Sequence, residues 1–447
     1  MERIKPRTLS GFMELLPPQQ AQMREIMRVL RETYSLYGFC PIDTPVIEAA
    51  EVLLAKGGGE TEKQVYRFTK GDADLALRFD LTVPLAKYVA LHYGQLVFPF
   101  RRYQIGKVYR GERAQRGRFR EFYQADIDVI GDGVLDVANE AEMPAVICAV
   151  FRRLGIERFV IRMNNRKVLN GLFEYLGVGA AAGQVMTAID KLDKLGRDKV
   201  AAILTDDVGL TPALAAELLD ILASDDPMAT LDGLSGKCPA LDEGVAELKT
   251  VTGLLPGLGV PDDKWTIDLT IARGLDYYTG TVYETTLLDH PEVGSVCSGG
   301  RYDSLAEYYT DKKLPGVGVS IGVTRLFYIL QEQGLLSEEL NTAPCDALVI
   351  PMDDGVLGHA VRCATVLREA GVRTQIYTEK KKLKAKFTYA DRLRVPFAVV
   401  IGETEAAENT VSLKNLATGE QIAVPADEAA KIIREAVSRP VRPVTGI

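Results

Sequence analysis

Apolar residues near the start of the chain recur at helical spacing: Met23, Ile26, Met27, Leu30 and Tyr34 share one face, after Leu15-Leu16-Pro17-Pro18 and before Tyr37-Gly38. A proline-bounded extended stretch follows. From Val65 to Phe79 two short strand-like runs flank Lys70-Gly71-Asp72-Ala73-Asp74, a turn composition, and residues 100–112 and 119–131 predict a second, longer hairpin. Between about 165 and 255 the pattern becomes that of amphipathic helices, as in Ala181–Leu195 and Thr211–Ala223, with Gly and Pro punctuation. Strand signals return at Trp265–Ile271 and Thr281–Leu288, and a helix is predicted after Gly322. Residues 331–344 end in Asn341-Thr342-Ala343-Pro344, a linker composition. Beyond them strand 346–351, helix 356–370, strand 373–377, helix 383–393 and strand 396–401 alternate.

Antiparallel strand runs with helices set apart predict an α+β domain interrupted by a helical insertion; the alternating C-terminal elements predict a compact α/β domain. The expected boundaries are 1–165 and 256–330 for the two parts of the first domain, 166–255 for the insertion, 331–344 for the linker and 345–447 for the last domain. A chain of 447 residues is too long for one ordinary core, which agrees with several domains. No apolar stretch approaches the ~20 residues of a membrane span, and no basic-then-apolar signal opens the chain. The sequence therefore reads as a soluble, cytoplasmic protein with no membrane association.

The six cysteines (Cys40, Cys148, Cys238, Cys297, Cys345, Cys363) form no C-x-x-C pair and have no histidine at ligand spacing, so they read as reduced thiols and no metal site is expected. The three histidines (His92, His290, His359) stand in unrelated segments, which argues against a histidine-based dyad or triad. A net charge of −8 excludes a uniformly basic coat, but local balance differs. Residues 101–120 carry eight Arg/Lys against Glu112 alone, and residues 373–394 carry eight against Glu379 and Asp391.

The densest chemistry lies in Tyr109–Asp128. In its second strand, period-two alternation puts Gln124, Asp126 and Asp128 on one face and Tyr123, Ala125, Ile127 and Val129 on the other. Arginines at both ends of the connecting loop suit charge-assisted, bidentate grips on phosphate oxygens. An anion site beside a carboxylate-lined pocket is expected. Ile271–Gly280, with two glycines, paired tyrosines and Arg273, is a second dense segment. Ser298–Asp303 offers glycines for close backbone approach to a ligand, and Gly316–Gly322 with Arg325 reads as a glycine-rich loop. It lacks the strand context and ribose-binding acid of a dinucleotide fold, and no Walker A motif exists, so ATP would have to bind through arginines on a sheet.

At these four clusters the chain closely resembles histidyl-tRNA synthetases, and the resemblance runs over nearly its whole length, weakest at 165–255. Arg110–Asp128 looks like class II motif 2 and Gly316–Arg325 like motif 3, while Arg273–Gly280 and Gly299–Asp303 resemble the two histidine-specific segments. The resemblance implies a class II catalytic domain, an antiparallel sheet with flanking helices, and a C-terminal anticodon-binding domain. It implies ATP-dependent activation of L-histidine, with Mg²⁺, and transfer to the 3′ end of tRNA(His). Dimerisation, through the helix and strand around residues 20–50, is also implied by resemblance.

By matching position, the resemblance assigns Arg110 to the α-phosphate, Arg118 to the γ-phosphate, Arg325 to adenine and the phosphate tail, and Glu112 to the same ATP site. Asp80 and Thr82 would bind the α-amino group, and Gln124, Tyr277, Tyr278, Tyr302 and Asp128 would line the histidine pocket, with Asp128 and Tyr278 reading the imidazole nitrogens. Arg273 and Arg110 would be the catalytic cations. Gln115 and Arg116, on the motif 2 loop, and Lys381, Lys382, Lys384 and Lys386, on a basic and aromatic helix, would meet tRNA. Leu383 and Phe387 suit core and RNA stacking equally. The chain departs from the family pattern at Gly11–Pro17 and at Ala114. The competing expectation is a non-catalytic relative, the regulatory subunit of ATP phosphoribosyltransferase; such relatives usually lack the C-terminal domain and the arginine corresponding to Arg273.

Overall fold

The computed structural model describes residues 3–55, 60–272, 277–336 and 342–437. They form two compact units, one of residues 3–14 and 24–336 and the other of 15–23 and 342–437.

In the larger unit an eight-stranded sheet is built from β1 (Cys40–Pro41), β5 (Phe100–Tyr109), β6 (Glu121–Ile130), β7 (Phe159–Asn165), β8 (Trp265–Ile267), β9 (Thr281–Leu287), β10 (Cys297–Tyr302) and β11 (Gly316–Gly322). Their order is β1-β5-β6-β11-β10-β9-β7-β8, antiparallel except at the outer pairs β1/β5 and β7/β8. A small sheet of β2 (Ile47–Ala49), β4 (Ala73–Leu77) and β3 (Arg67–Lys70) lies in the same unit. The expected hairpin turn at Lys70–Asp74 joins β3 to β4, and the longer hairpin is β5/β6.

Two long helices supply much of the core. Helix Pro17–Leu36 buries Ile26, Val29, Leu30 and Tyr34 on the face its spacing predicts, and helix Ala138–Leu154 buries Val146, Val150, Phe151 and Leu154 and ends on Gly155 at φ 83°. The segment 166–254 is helical. Its starts are sequence-coded: Thr211 and Asp226 cap the helices begun by Pro212 and Pro227, accepting from Leu214 and Ala229 backbone N–H groups. Helices Arg166–Tyr175 and Pro239–Leu254 cross closely because Gly171 and Gly244 stand where they meet, and a Cβ there would lie 2.3 Å from Leu241 N and 2.6 Å from Val168 N.

The smaller unit has a five-stranded sheet, β13 (Thr374–Ile376), β12 (Ala347–Pro351), β14 (Phe397–Ile401), β15 (Val411–Asn415) and β16 (Gln421–Val424), in that order. The first three are parallel, as alternation with helices Leu357–Glu369 and Leu383–Arg392 requires. The β15/β16 hairpin and helix Ala426–Val437 complete it, closing an apolar core around Val349, Leu367, Val399 and Ile433.

One expectation changes. Gly316–Gly322 is not a loop but an interior strand of the large sheet, paired with both β6 and β10. Ser298–Asp303 falls mainly in strand β10. Glycines in both allow close side-chain packing. A Cβ at Gly318 would lie 2.2 Å from Asp128 Oδ1, one at Gly316 2.4 Å from the Tyr302 ring, and one at Gly300 3.0 Å from the Tyr278 ring. Small residues on these strands thus make room for large side chains beside them.

Candidate active site

The β5/β6 hairpin, β10 and β11 form the floor of a cleft of about 510 Å³. At one end stand Arg110, Glu112, Arg118 and Arg325. The 110–120 connection is held by paired backbone bonds between Gln115 and Arg118 around Gly117 at φ 70°, and a backbone bond from Arg110 N to Arg120 O closes its base. Arg110 extends from β5 with Nε donating to the Phe79 carbonyl at 2.9 Å and its guanidinium over the Phe122 ring. Arg325, in helix Val323–Glu332, donates to the carbonyls of Gly117 (3.1 Å) and Ser295 (2.7 Å). Burial, and then the charge of Arg118, lower its proton affinity. Arg118 lies 3.8 Å from Glu112 and is 43% exposed, so its charge is available to a ligand.

The other end is acidic and buried. Asp80 is 2% exposed and accepts from Val83 N at 3.0 Å, at the start of helix Thr82–His92. Tyr277 O–H reaches it at 3.5 Å. Along β6, Gln124 donates to Ser320 Oγ at 2.8 Å, and Ser320 in turn donates to Asp126. Asp128 Oδ1 accepts from Tyr302 O–H at 2.7 Å. A recess continuing from the cleft is bounded by Thr82, Asp126, Asp128, Tyr278, Tyr302 and Ser320. Burial dominates the titration of all three acids: it raises Asp80, pushes Asp126 up to about 7 against the opposing charge of Arg102, and pushes Asp128 up to about 6 against Arg102 and the Tyr302 hydrogen bond.

The structure brings Asp80, Thr82, Arg110, Glu112, Arg118, Gln124, Tyr277, Tyr278 and Arg325 to the cleft, and Asp128 and Tyr302 to its recess. Arg273 lies outside the described residues. Gln115 and Arg116 are exposed on the hairpin loop, Arg116 paired with Glu332 at 2.8 Å. In the smaller unit Lys381, Lys382 and Lys384 are exposed, with Leu383 exposed and Phe387 half-buried against the core. Lys386 departs from the expectation: it is 5% exposed, and its Nζ donates to the Pro351 carbonyl at 2.6 Å, a structural bond at the end of β12 that keeps it from phosphate. Residue 386 stands one helical turn before Ala390, and these two share the buried face of helix Leu383–Arg392.

Three residues absent from the expected set stand at the site: Asp126 and Ser320 line the cleft, and Arg102 lies behind Asp128. Asp126 shares the polar face that alternation gave to Gln124 and Asp128, so its signal was present. Arg102 and Ser320 enter only through strand pairing, Arg102 opposite Asp128 and Ser320 opposite Asp126.

An antiparallel sheet that carries arginines from a hairpin and a following helix over a buried acidic pocket defines the catalytic domain of a class II aminoacyl-tRNA synthetase. The histidyl-tRNA synthetase family model matches residues 11–326, and an anticodon binding domain model matches residues 346–436. The chain is 51% identical to a histidine–tRNA ligase of Clostridium tetani, covering 97% of this chain and 99% of the relative. It superimposes on the crystal structure of histidyl-tRNA synthetase from Nostoc sp. PCC 7120 with a TM-score of 0.87 at 41% identity, over 97% of this chain and 100% of that one. A Bacillus halodurans structure described as an ATP phosphoribosyltransferase regulatory subunit/histidyl-tRNA synthetase shares the fold, with a TM-score of 0.71 at 20% identity over 87% of this chain and 97% of that one. The chain belongs to the histidyl-tRNA synthetase family.

Proposed function

We propose that this protein activates L-histidine with ATP and esterifies it to the 3′ end of tRNA(His), releasing diphosphate and AMP. The observation that carries the reading is the opposed charge of one continuous cleft, with arginines held by main-chain carbonyls at one end and buried carboxylates at the other. In the first step a carboxylate oxygen of histidine attacks the α-phosphorus and the bond to the β-phosphate oxygen breaks. Two anions must meet, so positioning and cations dominate the catalysis. Arg110 is aimed at the α-phosphate, Arg118 at the γ-phosphate and Arg325 at the adenine end, and we assign Arg273 to the carboxylate and α-phosphate.

Asp80 and Thr82 take the α-ammonium, while Gln124, Asp128, Tyr277, Tyr278 and Tyr302 line the histidine pocket, with Asp128 and Tyr278 meeting the imidazole nitrogens. Glu112, the carboxylate on that side of the cleft, would help hold Mg²⁺ accompanying the nucleotide, and the ion would supply neutralisation of phosphate charge. In the second step the terminal ribose hydroxyl of tRNA attacks the adenylate carbonyl, AMP leaves, and the adenylate phosphate accepts the hydroxyl proton. Gln115 and Arg116 meet the acceptor end, and Lys381, Lys382 and Lys384 track RNA phosphates. We place the protein in the cytoplasm as a homodimer. Among the described residues no helix is long and apolar enough to cross a membrane.

Histidine-dependent ATP–pyrophosphate exchange, followed by charging of tRNA(His), tests the reading. No exchange in the parent protein sinks it, and a regulatory, histidine-sensing role then takes its place. Exchange without charging points to another acceptor.

A further inference from the structure

Arg102 has the largest fully buried side chain among the described residues, and it faces Asp128 across the β5/β6 register. Its Nη2 lies 2.6 Å from Asp128 Oδ2, off the line of a hydrogen bond, and donates instead to the Leu81 carbonyl at 3.2 Å. Nε and Nη1 have no hydrogen-bond acceptor among the described residues. A guanidinium buried to that degree must have its charge met, and here carboxylate charge meets it rather than a full set of hydrogen bonds.

The carboxylate has a matching incompleteness. Asp128 Oδ1 is engaged by Tyr302, whereas Oδ2, also buried, has no aligned donor among the described residues. Asp128 forms part of the recess wall, so Oδ2 keeps its capacity to accept from a ligand N–H there. The groups around it mostly oppose its ionisation: Asp126 on its own strand and Asp80 before helix Thr82–His92 are acids, while β11 offers only Gly318 and Ser320. Tyr278 and Tyr302 stand on the remaining side, and burial raises both phenols so that they stay neutral. Arg102 is the group whose charge favours the anion.

We propose that Arg102 is a positioning residue for amino-acid recognition, holding Asp128 as an anion with Oδ2 fixed as the acceptor for a side-chain N–H of the substrate. The proposal rests on the reading of Asp128 as the carboxylate that meets the imidazole. Arg102 touches no substrate itself; its effect runs through Asp128.

The test is steady-state ATP–pyrophosphate exchange with the full-length chain carrying Arg102→Met, Arg102→Lys, Asp128→Asn, or Arg102→Met with Asp128→Asn, with thermal unfolding followed in parallel. Arg102→Met is expected to raise KM for histidine by about tenfold or more while KM for ATP moves less than about twofold, the size of a missing charge-assisted interaction. Arg102→Lys recovers most of that loss. In the Asp128→Asn background Arg102→Met adds less than about twofold, because the charge it served is gone. Additive effects, or equal rises in both KM values, overturn the proposal. If Arg102→Met alone fails to fold, the double variant against Asp128→Asn still decides, since the buried anion is absent from both. A normal histidine KM in Asp128→Asn removes the underlying reading of Asp128 itself, independently of any Arg102 variant.

Discussion

At the rim of the cleft, Arg110 and Arg325 give guanidinium N–H groups to main-chain carbonyls; beneath its floor Arg102 also gives one to the Leu81 carbonyl, but it is set among buried carboxylates. A carbonyl fixes an arginine without neutralising it. The rim therefore keeps a positive charge of the kind phosphates require, in a partly open site where salt and water still reach it. The floor gathers three buried acids, Asp80, Asp126 and Asp128, around the fully buried Arg102, and that excess leaves acceptors for the ammonium and N–H groups of an amino acid. One sheet thus presents opposite charge at its two ends. The difference lies in the buried carboxylates beside Arg102.

The strongest way to break this contrast is at the rim. Arg110→Ala is expected to lower histidine-dependent ATP–pyrophosphate exchange by about 10²–10³-fold, the scale of removing one donor to a developing oxyanion. Retention of more than about a tenth of the activity would show that the rim cations act collectively, with none essential. At the floor, Asp128→Ala should raise KM for histidine by about 10–100-fold with little change for ATP, and equal effects on both substrates would refute its separate role. Gly318→Ala probes the same carboxylate by sterics, since its Cβ would come 2.2 Å from Asp128 Oδ1. A histidine KM raised about tenfold, with a drop in thermal stability, is expected as the sheet or Asp128 gives way.

Asp126 sharpens the comparison through pH. Its carboxyl is raised from 3.8 to about 7 by burial, so between about pH 4 and 7 the folded chain keeps a proton that the unfolded chain loses, and stability falls as pH rises through that window. Asp126→Asn cannot ionise. Its Tm advantage over the parent, in the ligand-free state, should grow from near zero at pH 4 to about 2–6 °C at pH 7.5. A difference independent of pH would show that Asp126 carries no buried charge. The smallest effect is expected away from the cleft altogether. Lys384→Glu should raise KM for tRNA by only about three- to tenfold, the scale of leaving one RNA phosphate without its cation, and leave pyrophosphate exchange unchanged. Lys386→Met should instead act on folding, because its Nζ is committed to the Pro351 carbonyl.

Much of this was written into local sequence. The helix face of Met23–Tyr34, the β5/β6 hairpin, the polar face of Gln124, Asp126 and Asp128, the arginines flanking Gly117 and the alternating elements of the last domain all follow from period, turn residues and charge spacing. Periodicity reports which side of its own element a residue occupies. It is silent about what lies opposite.

What lies opposite was decided by tertiary structure. Gly316–Gly322 is too rich in glycine to announce a strand, yet it is an interior strand because glycine alone leaves space for Asp128 and Tyr302 on the strands beside it. Lys386 belongs to a basic run, and only the packing of helix Leu383–Arg392 turns it inward, onto Pro351. Arg102 looks in sequence like one more cation in a row of eight. The register of β5 against β6 sets it beside Asp128, out of water, and makes it a buried partner of a residue in the recess wall. The order of residues determined which charges this protein carries and at what spacing. Pairing between distant strands decided which are buried together, because Coulombic coupling depends on separation in space and on the exclusion of water.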